Sequence, residues 1–387
     1  MTLDQTHISH SNYPEVTNTA HIFAIAKELE NSGEKIIHLE LGDPDVSVPE
    51  IIKETIKTEL DNNNTGYAVG QGLLELRESI SGYYQSKFSK LVDPLNELVI
   101  TSGAKLAINF ALKSILNPDD EVIVLSPSWP TYKSIISSLG GVTKEICLDF
   151  DLEKDLEAIG FAITPKTKCV LINFPNNPVG ITVNFEYLEK INELILEHQQ
   201  IYILSDEIYL ELAYEESNAS MIHFFDKNSQ IIIVSGFSKA WSMTGFRLGY
   251  VIAKKEIISS ITELINYSTS CAPPFIQKAG VTAMSHREHL PELRKIYQTR
   301  VSKGLEILEG SKFITIPFRP NAAFYLFIKI KTNSKNFVME LLYKNKVAVT
   351  PGKVFGEKYS DFIRISLTGT DYLHGINQII SLLEQTN

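Results

Sequence analysis

Cysteine, tryptophan and methionine are scarce, at three, two and five among 387 residues. The cysteines, Cys147, Cys169 and Cys271, are odd in number and far apart, without metal-like spacing, which speaks against a disulfide framework or a structural zinc site and for buried thiols in a reducing compartment. No apolar run is long enough to cross a bilayer, and a mean hydropathy of −0.02 fits a soluble globular chain. Basic residues are outnumbered 36 to 46, and the net charge of −10 argues against nucleic acid or anionic membranes as partners. A local basic pocket for a small anion remains compatible with that balance. Neither a repeat of 20–50 residues nor a low-complexity segment is present. The opening MTLDQTHISHSNYPEV has no basic n-region and no apolar h-region, so a cytoplasmic location is expected.

What is present is 44% apolar residues, enough at this length for two intimately packed domains. Between residues 97 and 253 short β-branched runs alternate with helical patterns: ELVITSGAKLAINFALKSIL, EVIVLSPSWPTYKSII, KCVLINFPNNPVG, IYILSDEIYLEL. That rhythm predicts an α/β fold, a mainly parallel sheet sandwiched by helices. Helical spacing also marks residues 20–33 and about 286–309, while residues 1–18 are polar and expected to order only by contact with something else.

Several loops after these runs carry chemistry-bearing side chains. In SGFSKAWSMTGFRLGY (235–250), between the runs IIIV and GYVIA, Lys239 sits among Ala240, Trp241, Met243, Phe246 and Leu248. A lone loop lysine is ordinarily a solvated charge, but apolar neighbours depress its pKa and favour a nucleophilic amine. Arg247, a fixed cation eight residues on, suits a phosphate. Ser102, Gly103 and Ala104 form a small-residue turn into a helix, which is either a plain tight turn or an anion cradle. Trp129 is a core aromatic or a stacking face. Asp206, at the end of an apolar strand, is a helix cap or a ligand-facing carboxylate. Arg364, in FIRISLTGT, is a surface charge or a carboxylate clamp.

Taken in order, these segments resemble the class I (aspartate aminotransferase-like) pyridoxal 5'-phosphate (PLP) dependent aminotransferases of fold type I, over about residues 19–380. The central stretch is similar to that family's Ser-Lys followed by Gly-x-Arg-x-Gly, the Asn-Pro-rich loop to its Asn-Pro-x-Asn-Pro-Thr-Gly, and TGYAVGQGLLELR to its Tyr-x-x-x-x-Gly-x-x-x-Leu-Arg. The resemblance implies that Lys239 bonds to the cofactor and serves as catalytic base and acid, that Asp206 holds the pyridine nitrogen, and that Asn177 and Tyr209 contact the phenolic oxygen. It implies a phosphate site built from Ser102, Gly103, Ala104, Lys105 and Arg247, with Ser238 as the available hydroxyl because Gly236 replaces a usual serine. Trp129 would stack on the ring. Tyr67 would reach the phosphate of the neighbouring subunit, implying a homodimer with shared sites.

On the substrate side the resemblance implies Gly42 over the amino acid, Arg364 on its α-carboxylate beside Asn177, and Lys105 with Thr19 on a distal carboxylate. Substrates would be an amino acid and a 2-oxo acid, with no metal. Here the chain departs from the pattern: Asp43 and Val46 in GDPDV stand for Glu and Phe, and Ala322 for Gly, which is expected to reshape the pocket. Transamination is the first reading, and a PLP-dependent lyase or cyclase acting on a side chain by elimination, replacement or cyclisation is the second. The family architecture places an N-terminal segment of the small domain at 1–45, the PLP-binding domain at 46–285 and the C-terminal small domain at 286–387.

Overall fold

The computed structural model describes residues 18–215 and 219–386, so the expectation for the polar N-terminus falls almost wholly outside the described residues. In chain order the strands are β1 (Ile37–His38), β2 (Leu98–Thr101), β3 (Glu121–Ser126), β4 (Val142–Cys147), β5 (Thr167–Asn173), β6 (Tyr202–Asp206) and β7 (Ile231–Gly236). They continue as β8 (Gly249–Ile252), β9 (Ile314–Thr315), β10 (Tyr325–Ile330), β11 (Val347–Ala348), β12 (Thr350–Pro351) and β13 (Phe362–Ser366).

Seven strands make one sheet in the order β2-β8-β7-β6-β5-β3-β4, parallel except for β8, which runs antiparallel to both neighbours. Strands β2, β7 and β8 are buried throughout because helices cover both faces of the sheet. Apolar runs such as IIIV therefore pack on both sides, where each fully buried Ile, Leu or Val contributes about 1.5–3 kcal/mol. The alternation is plain in β7: Ile231 and Ile233 pack with one cluster, Ile232 and Val234 with the other. A mainly parallel α/β sheet is what the sequence rhythm predicts.

A four-stranded sheet, β12-β13-β10-β9, packs in a separate apolar cluster with the helices Thr19–Asn31, Leu290–Glu309, Ser334–Asn345 and Tyr372–Thr386. The N-terminal segment joins this unit, since β1 pairs in parallel with β11 through Ile37 to Val347. The helix anticipated from about residue 286 starts at Leu290, His286 being instead the cap of the preceding helix Pro274–Ser285.

Two glycines show how tightly the site-bearing loop is held. Gly236 and Gly249 face each other in the β7–β8 register. A Cβ on Gly236 would lie 2.8 Å from the Leu248 carbonyl, which gives the absent serine a steric reason. A Cβ on Gly249 would lie 2.6 Å from the Ala104 backbone nitrogen, so glycine lets the loop's second strand reach the turn before the helix Ala104–Ile115.

Candidate active site

A cavity of about 1100 Å³ opens at the C-terminal ends of β5, β6 and β7, where an open α/β sheet presents its ligands. Asp206 ends β6 and is 3% exposed. Its carboxylate accepts from the Tyr132 hydroxyl at 2.6 Å and from the Ile208 backbone N–H at 3.1 Å. Burial pushes its pKa up to about 6, and those donors, with the positive charge of Lys239, oppose the rise. The next residue, Glu207, accepts instead from Ser205, Ser220 and the Met221 N–H, at 2.6–2.9 Å. Strand alternation thus gives one acid to the cavity and the other to the core.

Lys239 lies three residues beyond β7, its amine donating to the Gly42 carbonyl at 2.6 Å and standing 6.0 Å from the centre of the Tyr209 ring. Dense protein around the amine pushes its pKa down to about 8; Asp43 pulls the other way, while Arg364 and Arg247 add to the depression. Solvent still reaches the half-buried side chain through the cavity. Glycine at 42 is required, because a Cβ there would overlap the Tyr325 hydroxyl. That hydroxyl pairs with the Tyr209 hydroxyl at 2.7 Å.

One end of the cavity is an anion corner. Gly103, at φ 87°, turns the chain into the helix Ala104–Ile115, and a Cβ on it would lie 2.6 Å from an Arg247 guanidinium nitrogen. Arg247 donates to the Thr244 carbonyl at 2.9 Å and pairs with no carboxylate among the described residues. Ser238, Ala104, Lys105 and Arg247 line the cavity; Ser102 does not. The Lys105 amine is 5.3 Å from the Trp129 ring, and burial, then Arg247, lower its pKa. Trp129 itself packs edge-on against Tyr132 at 5.4 Å.

The opposite wall belongs to the smaller sheet. Arg364 on β13 is 3% exposed, donates to the Asn177 side-chain oxygen at 3.1 Å and to the Glu40 carbonyl, and lies against the rings of Tyr325 and Phe355 at 4.8 and 5.0 Å. Thr19, first residue of its helix, also lines the cavity.

Most of the residues expected at the site are thus brought together. Ser102 and Gly103 lie outside the lining, and Tyr67, expected at the neighbouring subunit's site, is 90% exposed and outside it too. Ala322, expected to reshape the pocket, is fully buried, bridges to Ala213 and also lies outside the lining, so that substitution is felt in the core. Tyr132, Glu40 and the bond from Thr244 to Asp43 at 2.7 Å went unread in the sequence. Each depends on a partner distant in the chain, and no local pattern marks it.

The family pattern described as aminotransferase class I and II matches residues 34–373. A (5-formylfuran-3-yl)methyl phosphate transaminase of Methanocaldococcus jannaschii is 38% identical over 347 residues, covering 89% of this chain and 90% of that one. A probable N-acetyl-LL-diaminopimelate aminotransferase of Bacillus subtilis is 35% identical, covering 88% and 90%. Among solved structures, an aspartate aminotransferase from Thermotoga maritima superposes with a TM-score of 0.87 at 32% identity, covering 96% of this chain and 98% of that chain.

Proposed function

The chain belongs to the class I and II aminotransferases and is a transferase that moves an amino group between an amino acid and a 2-oxo acid; from that premise we propose which of its residues do what. PLP fits the cavity on chemical grounds. Asp206 offers a buried carboxyl for a pyridine nitrogen, Arg247 and the helix N-terminus at Ala104 offer an anion corner, and Lys239 offers an amine depressed to about 8. That pairing of a softened amine with a buried acid in one cavity carries the reading.

Bound there, the cofactor supplies an aldehyde for covalent attachment and a ring that withdraws electrons from the substrate Cα. Lys239 would hold it through the Nζ amine, and that amine, when free, would take the proton from the substrate Cα and later return one. Asp206, fixed by Tyr132 and Ile208, holds a positive charge at the pyridine nitrogen. Asn177 and Tyr209 would hold the ring oxygen; Ser238 and the turn from Ser102 to Lys105, with Arg247, would hold the phosphate; Trp129 would supply a flat face. Arg364 orients the α-carboxylate, and Gly42, whose missing Cβ lets the Tyr325 hydroxyl approach, borders the amino acid.

Relatives named for aspartate, aromatic and diaminopimelate substrates leave the choice of amino acid to the side-chain end of the cavity. Lys105, in the anion corner, and Thr19 both line the cavity, and this pair is assigned a distal carboxylate. Exposed Tyr67 supports a homodimer in which it completes the neighbour's site. The division near residues 46 and 286 is proposed on the two separate apolar clusters, and a cytoplasmic setting on composition. Among the described residues no helix is long and apolar enough to cross a membrane.

The test is turnover of the PLP-loaded protein with a panel of amino acids, with and without a 2-oxo acid. New amino acid and new oxo acid should form in equal amounts and only with an acceptor. Repeated turnover of a substrate bearing a leaving group, without acceptor, would instead establish the lyase or cyclase reading.

A further inference from the structure

We propose that Glu40 is a positioning residue for carboxylate recognition: its buried side chain is the counter-charge behind Arg364, and the proton on His38 sets how strongly it competes with the substrate carboxylate. The proposal rests on the reading of Arg364 as the carboxylate site.

Glu40 is fully buried, and only one of its carboxylate oxygens has a partner. Oε1 meets His38 Nδ1 at 2.8 Å, while Oε2 makes no hydrogen bond among the described residues. Its backbone carbonyl accepts from Arg364 and, at 3.1 Å, from Thr350. Arg364 in turn forms no ion pair among the described residues, and its Nε is buried without a partner. A buried carboxylate with one idle oxygen is thus anchored, through its own backbone, to a buried guanidinium with one idle donor. Such unmatched groups are costly and need a reason. Holding Arg364 ready for an anion supplies one.

The charge behind Arg364 is adjustable because His38 bridges Glu40 to a second carboxylate, with Nε2 at 3.0 Å from Glu30 Oε1. Glu40 first, then Glu30, hold the imidazolium above the ordinary 6.5, against the effect of burial. The other groups around His38 are Lys27, which pairs with Glu30 at 2.6 Å, and the Phe23 ring at 5.9 Å on the same helix. On the neighbouring strand β11, Val347 and Ala348 are apolar, and the adjacent Lys346 pairs with Glu34 at 2.8 Å. Facing Arg364 are Lys239 and the phenols of Tyr209 and Tyr325, besides Glu40.

The sign follows from charge balance. While His38 is protonated, Glu40 is neutralised from behind and Arg364 presents its whole charge to an incoming carboxylate. When His38 loses its proton, the Glu40 charge is left unbalanced, its field offsets part of the Arg364 charge, and the incoming carboxylate is held less strongly. Affinity therefore falls as pH rises through the elevated His38 pKa, by roughly three- to tenfold, the scale of one charge acting through a partly buried medium.

Propionate is the probe, since it carries a carboxylate but no amino group to react. Its binding to the PLP-loaded protein is measured by calorimetry from pH 6 to 9. The native protein should lose affinity across that range. Glu40→Gln should bind more tightly than native at high pH, and His38→Gln more weakly at low pH, both with the His38-linked slope gone. A merely structural role would weaken both variants alike, and that result, or a native slope kept in either variant, overturns the proposal. If Glu40→Gln does not fold, His38→Gln alone decides by the same slope. Arg364→Gln separates the two layers. Undiminished propionate binding there removes the carboxylate reading of Arg364, whereas binding lost there with unaltered slopes in the other variants removes only the role of Glu40 and His38.

Discussion

The two walls of the cavity are built differently. The floor comes from ends of one sheet: Asp206, Asn177 and Lys239 stand on or just past β6, β5 and β7, whose interiors are closed on both faces by helices. The facing wall is gathered from separate segments, Thr19 and Gly42 from the N-terminal segment and Arg364 from the smaller sheet, and the anion corner adds Lys105 from a helix start. A rigid sheet end fixes angles, which reaction chemistry needs; a wall assembled from several segments can differ in one part without disturbing the rest, which substrate choice needs. Floor substitutions should accordingly act on kcat and wall substitutions on KM.

The sharpest break in that pattern is Lys239→Ala, which should lower kcat by roughly 10⁴-fold in steady-state assays, as expected for loss of the proton-carrying amine. An equal fall in kcat from any wall substitution would undo the distinction. Arg364→Gln should raise KM for amino acids roughly a hundredfold, since bonds between charged groups contribute about 1.5–3 kcal/mol each; a kcat defect with unchanged KM would move Arg364 to the floor. Lys105→Ala should raise KM for acidic amino acids by about tenfold while neutral ones change little. Equal loss on both classes removes its role in side-chain choice.

The smallest effect concerns the unloaded protein. The Lys239 pKa is about 8 when folded against an ordinary 10.5, so between those values the unfolded chain binds more protons and this residue makes stability rise with pH. Urea midpoints of the cofactor-free protein should carry that contribution between pH 8 and 10.5, and Lys239→Met should lose it. An identical pH profile in the variant would show that the amine is not held in a depressed state.

The same contrast explains what could be read from sequence. The floor was legible because each of its groups follows an apolar run within a few residues, so Asp206 and Lys239 could be placed from the strand alone. Parallel pairing followed from the alternation of β-branched runs with helices. The wall was legible only through motif resemblance, and incompletely. Arg364 reads as a charged residue in a strand, and its burial is set by Tyr325, Phe355 and Asn177, up to 187 positions away. Glu40 went unread because nothing in HLELG marks it: β1 spans only two residues there and the side chain turns inward to His38. Ala322 was misplaced for the converse reason: it is close in sequence to Tyr325, which lines the cavity, but faces Ala213 instead.

The central claim, that Lys239 is the residue on which the floor is organised, is tested most directly by loading the protein with PLP, reducing it with borohydride and mapping the modified peptide. The account predicts a single pyridoxyl group on the peptide containing SKAWSMTGFR, carried by Lys239. Label on Lys105 or on any other lysine, with Lys239 unmodified, would contradict it.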